Sequence, residues 1–265
     1  WTKNIDLDKP TDVIYLDFAK AFDRVPKCRL LYRLKHIGIS GNLLNWIKDF
    51  LSNRTFRVKI GQALSYNVRV LSGVPQGSVF GPLLFIVYVA DLKHILSSPF
   101  AMYADDIKLY NACDSYQVLM HDLITVRKWC LDWILPLNLA KCITLHIGNR
   151  NPRHKYFIDN CELCESDPCS DLEVTVTSNL SWSAHVLHVT RRANSILFLV
   201  SKVFSKRRVE TVVKLYKTYI RPILEFAGGV WAPVLQRDVD LLEALQRRAT
   251  RLPFGRIRPS YEERL

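Results

Sequence analysis

An acid pair set between two apolar, strand-length runs constrains this chain more than any other feature. In Ala101-Met102-Tyr103-Ala104-Asp105-Asp106-Ile107-Lys108-Leu109-Tyr110 the carboxylates interrupt a pattern that reads as strand, turn, strand. Asp favours turns because its side chain hydrogen-bonds its own backbone. The segment is therefore expected to fold as a tight hairpin with both acids at its tip. A third acid, Asp17, ends the strand-like run Asp12-Val13-Ile14-Tyr15-Leu16. Side chains alternate across a strand, so a carboxylate pair at a hairpin tip beside one at a neighbouring strand end can converge on one point. Hard divalent cations bind such oxygen clusters. Two of them about 3.5 to 4 Å apart can hold the attacking and leaving oxygens of an in-line phosphoryl displacement. An isolated Asp-Asp is ordinarily turn chemistry alone, and what sets this one apart is the third acid.

Charge points to a polyanionic partner. The formal net charge is +12, and the stretch Ser181–Leu265 carries 16 Lys and Arg against 7 Asp and Glu, which places +9 of the excess in the last third. Polymerised phosphate is the common partner of such a surplus. Arg191-Arg192, Lys206-Arg207-Arg208 and Arg247-Arg248 are its densest points. A chain of 265 residues, 49% of them hydrophobic, can bury one large core or two modest ones. The longest apolar stretch, Pro82 to Ala90, stops at Asp91, short of the roughly 18 residues a membrane span needs. The N-terminus lacks the layout of a signal peptide. An intracellular product, in nucleus or cytoplasm, is expected, in which the seven cysteines need not pair.

Periodicity places the elements. Lys27 to Ile37 and Gly41 to Leu51 repeat apolar residues at helical spacing, broken at Gly38 to Ser40. Thr55 to Ile60 and Tyr66 to Leu71 alternate, predicting a hairpin that turns at Gly61-Gln62. Ser78 to Leu96 reads as one buried helix with Pro82 in its first turns. Ser115 to Ile134 reads as a helix capped by Asp114 or Ser115, and Cys142 to Ile147 as a strand. Short strands and turns follow from Tyr156 to Val176. The period is helical from Ser183 to Arg251, interrupted near Pro222 and Gly228-Gly229.

Four blocks, in order, resemble the reverse transcriptases of non-LTR (LINE-type) retrotransposons. They are Asp12-Val13-Ile14-Tyr15-Leu16-Asp17-Phe18-Ala19-Lys20-Ala21-Phe22-Asp23-Arg24-Val25-Pro26; Ser72-Gly73-Val74-Pro75-Gln76-Gly77-Ser78-Val79-Phe80-Gly81-Pro82-Leu83-Leu84-Phe85; Tyr103-Ala104-Asp105-Asp106; and a distal set comprising Leu180-Ser181-Trp182, Tyr219-Ile220-Arg221-Pro222-Ile223-Leu224-Glu225-Phe226 and Gln246-Arg247-Arg248-Ala249-Thr250-Arg251. The resemblance implies an α/β (α+β) polymerase palm with an antiparallel catalytic hairpin over residues 1–176, with a partial fingers-like insert at 26–72. A mostly helical, basic, thumb-like region is implied over 177–265. It implies an RNA-directed DNA polymerase that takes an RNA template, a DNA primer or target and deoxynucleoside triphosphates. A truncated or degenerate palm protein that only binds nucleic acid is the alternative.

On that resemblance the roles are as follows. Asp17, Asp105 and Asp106 bind two magnesium ions, with manganese as the alternative, and Phe18 lends its backbone carbonyl. Phe22 lies beneath the incoming sugar, where a bulky ring crowds a 2′ hydroxyl and favours deoxynucleotides over the ribonucleotides of an RNA-dependent RNA polymerase. Gly73, Pro75, Gln76 and Gly77 face the nascent base pair or template sugar, the glycines letting backbone approach nucleic acid closely, and Tyr103 joins this nucleotide and template surface. Lys141 protonates the leaving pyrophosphate. Arg191, Arg192, Lys206, Arg207 and Arg208 contact the backbone.

Cys161-x-x-Cys164 followed by Cys169 opens like a zinc knuckle, but a further ligand at Val174 is missing and no zinc is expected. The stretch reads instead as the turn of a primer-contacting hairpin. Trp129, Trp133, Trp182 and Trp231 read as packing residues rather than base-stacking ones. The chain departs from the family at Lys27, Ala90 and Glu173, where His, Asn and Gly are usual. Only eleven residues precede Asp12, so an upstream fingers region and an endonuclease are expected to lie outside this chain. Oligomeric state is left open.

Overall fold

The computed structural model describes residues 1–204, 208–254 and 259–264. They form two compact units, Trp1–Ser166 and Asp167–Leu265.

The first unit is built on a five-stranded sheet in the order Cys164–Glu165, Ile143–Ile147, Thr11–Leu16, Asp106–Ala112, Phe100–Tyr103. All neighbours pair antiparallel except the Cys164–Glu165 edge, which runs parallel to Ile143–Ile147. Thr11–Leu16 is the central strand, and its β-branched and aromatic residues suit a position covered on both faces. Ile14, Leu16, Ile107 and Leu109 project to one side. There they join Leu30 and Leu34 of the helix Lys27–His36, Ile47 and Leu51 of Gly41–Leu51, Leu84, Phe85 and Tyr88 of Phe80–Val89, and Leu119, Leu123 and Val126 of Tyr116–Trp133 in one core. No helix among the described residues is long and apolar enough to cross a membrane.

Most predicted elements form where the spacing placed them. The insert between 26 and 72 holds the two helices and two nested pairs of short, exposed strands, Thr55–Phe56 with Val68–Arg69 and Lys59–Ile60 with Ala63–Leu64. Its turn is Gly61-Gln62, with Gly61 at φ +59, a left-handed first position that glycine adopts freely. The single buried helix expected over 78–96 is instead two, Phe80–Val89 and Leu92–Ile95. Asp91 sits between them because its carboxylate accepts the Trp129 indole N–H at 3.1 Å and pairs with Arg33. Leu83 and Ile86 of the first piece remain exposed.

The segment expected to be one turn from Cys161 to Cys169 is also divided. Cys161 lies in a hairpin with Phe157–Ile158 whose turn is Asp159-Asn160, Cys164 joins the central sheet, and Cys169 belongs to the second unit. Backbone pairing thus puts the three cysteines in three different strand pairs.

In the second unit the hairpin Cys169–Asp171 with Val174–Val176 packs on the helix Ser183–Val203. Val174 meets Val186, Val189 and Trp231 in a small core. This explains why the units divide at Ser166 rather than at the expected 176: the hairpin buries its apolar residues against the helical part. Ala193, Leu197, Ile220, Leu245 and Ala249 form a second cluster. The helical run breaks at a π-turn over Tyr216–Ile220, just before Pro222, and again at left-handed Ala227 before Gly228–Trp231.

Candidate active site

Register brings the acids to one end of the sheet. Leu16 pairs with Ile107, so one step further Asp17 lies level with Asp106. Asp106 in turn pairs with Tyr103 across a two-residue turn, Ala104-Asp105. Leu16 and Ile107 point into the core, and alternation therefore turns Asp17 and Asp106 to the other face. The Asp17 side chain keeps 22% of its surface exposed. Ala104 holds φ +53, a left-handed conformation that costs an L-residue about 1–2 kcal/mol.

Asp17 is clamped through its backbone. Its carbonyl accepts from the Asn138 N–H at 2.8 Å, the Ala19 N–H donates to Pro136 O at 2.8 Å, and Phe18 bridges Leu137. The Phe18 ring is buried against Trp129, so only its backbone can reach the acids. Lys141 places Nζ 3.6 Å from Asp17 Oδ2, an exposed pair of little intrinsic strength.

The three carboxylates supply hard oxygen donors of the kind magnesium and manganese take. Among the described residues, however, no group of three or more His, Cys, Asp or Glu side chains is gathered closely enough to hold a metal ion. The convergence expected from alternation is only partly present. The ladder fixes Asp17 and Asp106, whereas Asp105 lies in the turn, where strand alternation does not set its direction.

Phe22 stacks on Phe85 with ring centroids 4.6 Å apart and is half-buried. The second block docks directly on the first. Gly73 N–H donates to Val25 O and Val74 N–H to Phe22 O, both at 2.8 Å, and Ser72 Oγ donates to Asp23 O at 2.8 Å. Gly73 has φ +91, and a Cβ there would lie 2.7 Å from Phe22 O and 2.8 Å from Asp23 Cα. Its missing side chain admits the protein's own backbone between Phe22 and Asp23. Gly77 is different: at φ +74, a Cβ added there would meet no atom of the described residues within 4 Å beyond its chain neighbours. Gln76 is exposed and donates through Nε2 to Asp23 Oδ1 at 2.8 Å, and Pro75 O accepts from Ser78 Oγ at 2.7 Å. Tyr103 is exposed beside Asp106. Arg191 and Arg192 lie exposed on the helix Ser183–Val203, and Arg208 precedes Val209–Leu215. Lys206 and Arg207 lie outside the described residues.

Sequence reasoning missed the acid at the other end of the central strand. Asp12 is fully buried. Its Oδ1 lies 2.7 Å from His146 Nδ1 and accepts from Asn151 Nδ2 at 2.8 Å, while Oδ2 accepts from the Tyr156 hydroxyl at 2.6 Å. Burial pushes the Asp12 carboxyl up, but hydrogen bonds from His146, Tyr156 and Asn151, with the charge of His146, outweigh it and hold the group below 3.8. The neighbouring Cys113 thiol is pushed up to about 12 by burial and by Asp12. Asp12 and His146 are partners in the ladder, so this network pins Ile143–Ile147, and with it Lys141, to the strand that ends in Asp17. The signal was available: Asp12 shares the inward face of Ile14 and Leu16, and an acid on such a face must find partners.

Residues 3–194 match the family model described as reverse transcriptase (RNA-dependent DNA polymerase). The chain is 27% identical over 259 residues to the probable RNA-directed DNA polymerase from transposon BS of Drosophila melanogaster, covering 91% of this chain and 28% of that protein. It is 26% identical over 260 residues to the RNA-directed DNA polymerase from mobile element jockey of the same species, with the same coverage of 91% and 28%. It thus spans little more than a quarter of the length of these curated relatives. A structure of telomerase from Candida tropicalis shares the fold, with a TM-score of 0.52 and 13% identity, over 96% of this chain and 41% of that one. The chain belongs to the reverse transcriptase family. Its relatives across most of its length are polymerases of non-LTR retrotransposons.

Proposed function

We propose that this chain carries the polymerase core of a non-LTR retrotransposon reverse transcriptase, adding deoxynucleotides to a primer 3′ hydroxyl on an RNA template. The observation that carries the reading is the antiparallel register of Thr11–Leu16 with Asp106–Ala112, which brings Asp17 level with Asp106 at a hairpin tip that also bears Asp105. Drawn closer together than they stand in this structure, Asp17, Asp105, Asp106 and the Phe18 carbonyl would hold two magnesium ions. Bound there, the ions supply the Lewis acidity that activates the 3′ hydroxyl and stabilises the departing pyrophosphate.

The protein's own groups do the rest. Phe22, braced by Phe85, meets the sugar and disfavours a 2′ hydroxyl. Gln76, oriented by Asp23, meets the nascent pair, and open Gly77 leaves room for template. Pro75 and Tyr103 border the same surface. Lys141 is mostly exposed and donates a proton to pyrophosphate. The palm reading belongs to Trp1–Ser166 and the thumb reading to Asp167–Leu265. Arg191, Arg192 and Arg208 of the thumb, with Lys206 and Arg207, meet the phosphates of RNA and DNA. The test is deoxynucleotide incorporation on an RNA template with a DNA primer and magnesium, for the parent and Asp105→Asn. Incorporation by the parent alone, with equal primer–template binding by both, is expected. Equal incorporation by both would remove the carboxylates from the chemistry.

A further inference from the structure

The insert of the first unit carries a paired ribbon with no buried residue. Thr55–Phe56 pairs with Val68–Arg69 and Lys59–Ile60 with Ala63–Leu64, yet every residue from Asn53 to Arg69 is exposed. Between the two pairs the Ser65 N–H donates to Val58 O at 2.9 Å and the Val58 N–H to Ser65 Oγ at 2.8 Å. Arg57 alone therefore lies opposite Tyr66-Asn67, a bulge of one residue. A two-stranded ribbon with no covered face is marginal in water. This one is fastened at its root. Val70 N–H donates to Arg54 O at 2.9 Å, Lys27 Nζ donates to Val70 O at 2.6 Å, and Ser72 and Gly73 dock on Asp23 and Val25. From that root to the turn at Gly61-Gln62 the strands reach roughly 20 Å.

The charge of the ribbon has one sign. No Asp or Glu occurs from Phe50 to Ala90, whereas Arg54, Arg57, Lys59 and Arg69 all lie in the ribbon. Arg54 folds back on the ring and carbonyl of Phe50. Arg57, Lys59 and Arg69 make no ion pair among the described residues. Open rings stand among these cations, Phe56 being 54% exposed and Tyr66 83%. Exposed apolar groups alone would suit a protein partner. Unanswered cations interleaved with open rings suit a single nucleic-acid strand, which brings a phosphate and a base face at every step. An RNA–DNA hybrid is a poorer fit, because an A-form major groove is too deep and narrow to admit a ribbon.

We infer that this ribbon is a docking surface for the unpaired RNA template strand outside the template–primer duplex, with Arg57, Lys59 and Arg69 on its phosphates and Tyr66 on a base. The inference rests on the nucleic-acid part of the proposed function and on none of the carboxylates. The docking of Gly73 and Val74 on Val25 and Phe22 sets the ribbon's root beside the surface proposed for the nascent pair.

The full chain is titrated across a salt series with two RNA–DNA hybrids of equal duplex length, one blunt and one with an unpaired RNA template extension. The parent is expected to bind the extended hybrid more tightly and with the steeper salt dependence. In the triple variant Arg57→Gln, Lys59→Gln, Arg69→Gln, the slope of log affinity against log salt should fall by about 2 on the extended hybrid, the loss of three single-strand phosphate contacts. The blunt hybrid should bind as before. Tyr66→Ala should weaken the extended hybrid about tenfold at an unchanged slope, the scale of one stacked base. All four side chains are exposed, so thermal melts of the variants should match the parent. An unchanged slope in the triple variant would overturn the inference in favour of a protein partner, and an equal fall on both hybrids would overturn it in favour of the duplex. Failure of the parent to bind either hybrid would overturn the nucleic-acid reading itself.

Discussion

Gly73→Ala should be among the most damaging single-methyl changes in the first unit, and Gly77→Ala, four residues on, should be mild. Both glycines are left-handed, at φ +91 and +74, so each substitution forces an L-residue into a conformation costing about 1–2 kcal/mol. Only Gly73 adds a collision, because its new Cβ would sit 2.7 Å from Phe22 O and 2.8 Å from Asp23 Cα and O. Those atoms are backbone, held by the Gly73 and Val74 hydrogen bonds, and cannot swing away as a side chain would. Overpacking of this kind costs about 1–3 kcal/mol more. Gly73→Ala should therefore lose about 2–5 kcal/mol, a large share of the roughly 5–15 kcal/mol that holds a typical domain. Gly77→Ala should lose about 1–2 kcal/mol. Guanidinium unfolding followed by tryptophan fluorescence measures both, with the slopes compared to confirm that the same surface unfolds. Equal losses in the two variants would refute the claim that Gly73 admits the Phe22–Val25 backbone.

Other outcomes follow from the same geometry. Asp12→Asn should lower stability by about 1–3 kcal/mol at neutral pH, since it takes a carboxylate oxygen out of a buried network that accepts from Asn151 and Tyr156. The folded Asp12 pKa lies below its unfolded value of 3.8, so its stabilisation is present above that value and is lost as pH falls through the lower folded one. The difference between parent and variant in urea midpoints should accordingly shrink in acid, and a pH-independent difference would rule out the carboxylate. Ala104→Gly should raise the melting temperature by relieving φ +53 at the hairpin tip, with a gain of up to about 1 kcal/mol; a drop would mean that the alanine methyl packs usefully. Phe22→Val should raise ribonucleotide incorporation relative to deoxynucleotide incorporation, and unchanged selectivity in competition assays would return Phe22 to a packing role beside Phe85.

Local chemistry made much of the first unit legible. Helical spacing marked Lys27–His36 and Gly41–Leu51, Gly61-Gln62 marked a turn, and apolar runs flanking Asp105-Asp106 marked the central hairpin. Glu173, a departure from the family's usual glycine, proved to hold a left-handed backbone, which explains why glycine suits that turn. Features set by distant partners were not legible. Asp91 interrupts the helix after Val89 because of Trp129 and Arg33, and the division at Ser166 depends on Val174 meeting Trp231. The Asp12 network joins residues more than 130 positions apart in sequence.

Whether Asp17, Asp105 and Asp106 act together on divalent ions is measured most directly by manganese binding to the full chain with primer–template and nucleotide present, followed by electron paramagnetic resonance. Two ions per chain in the parent are expected, with binding strongly weakened in both Asp17→Asn and Asp105→Asn. Manganese binding that is unchanged in both variants would contradict the placing of the ions on these carboxylates.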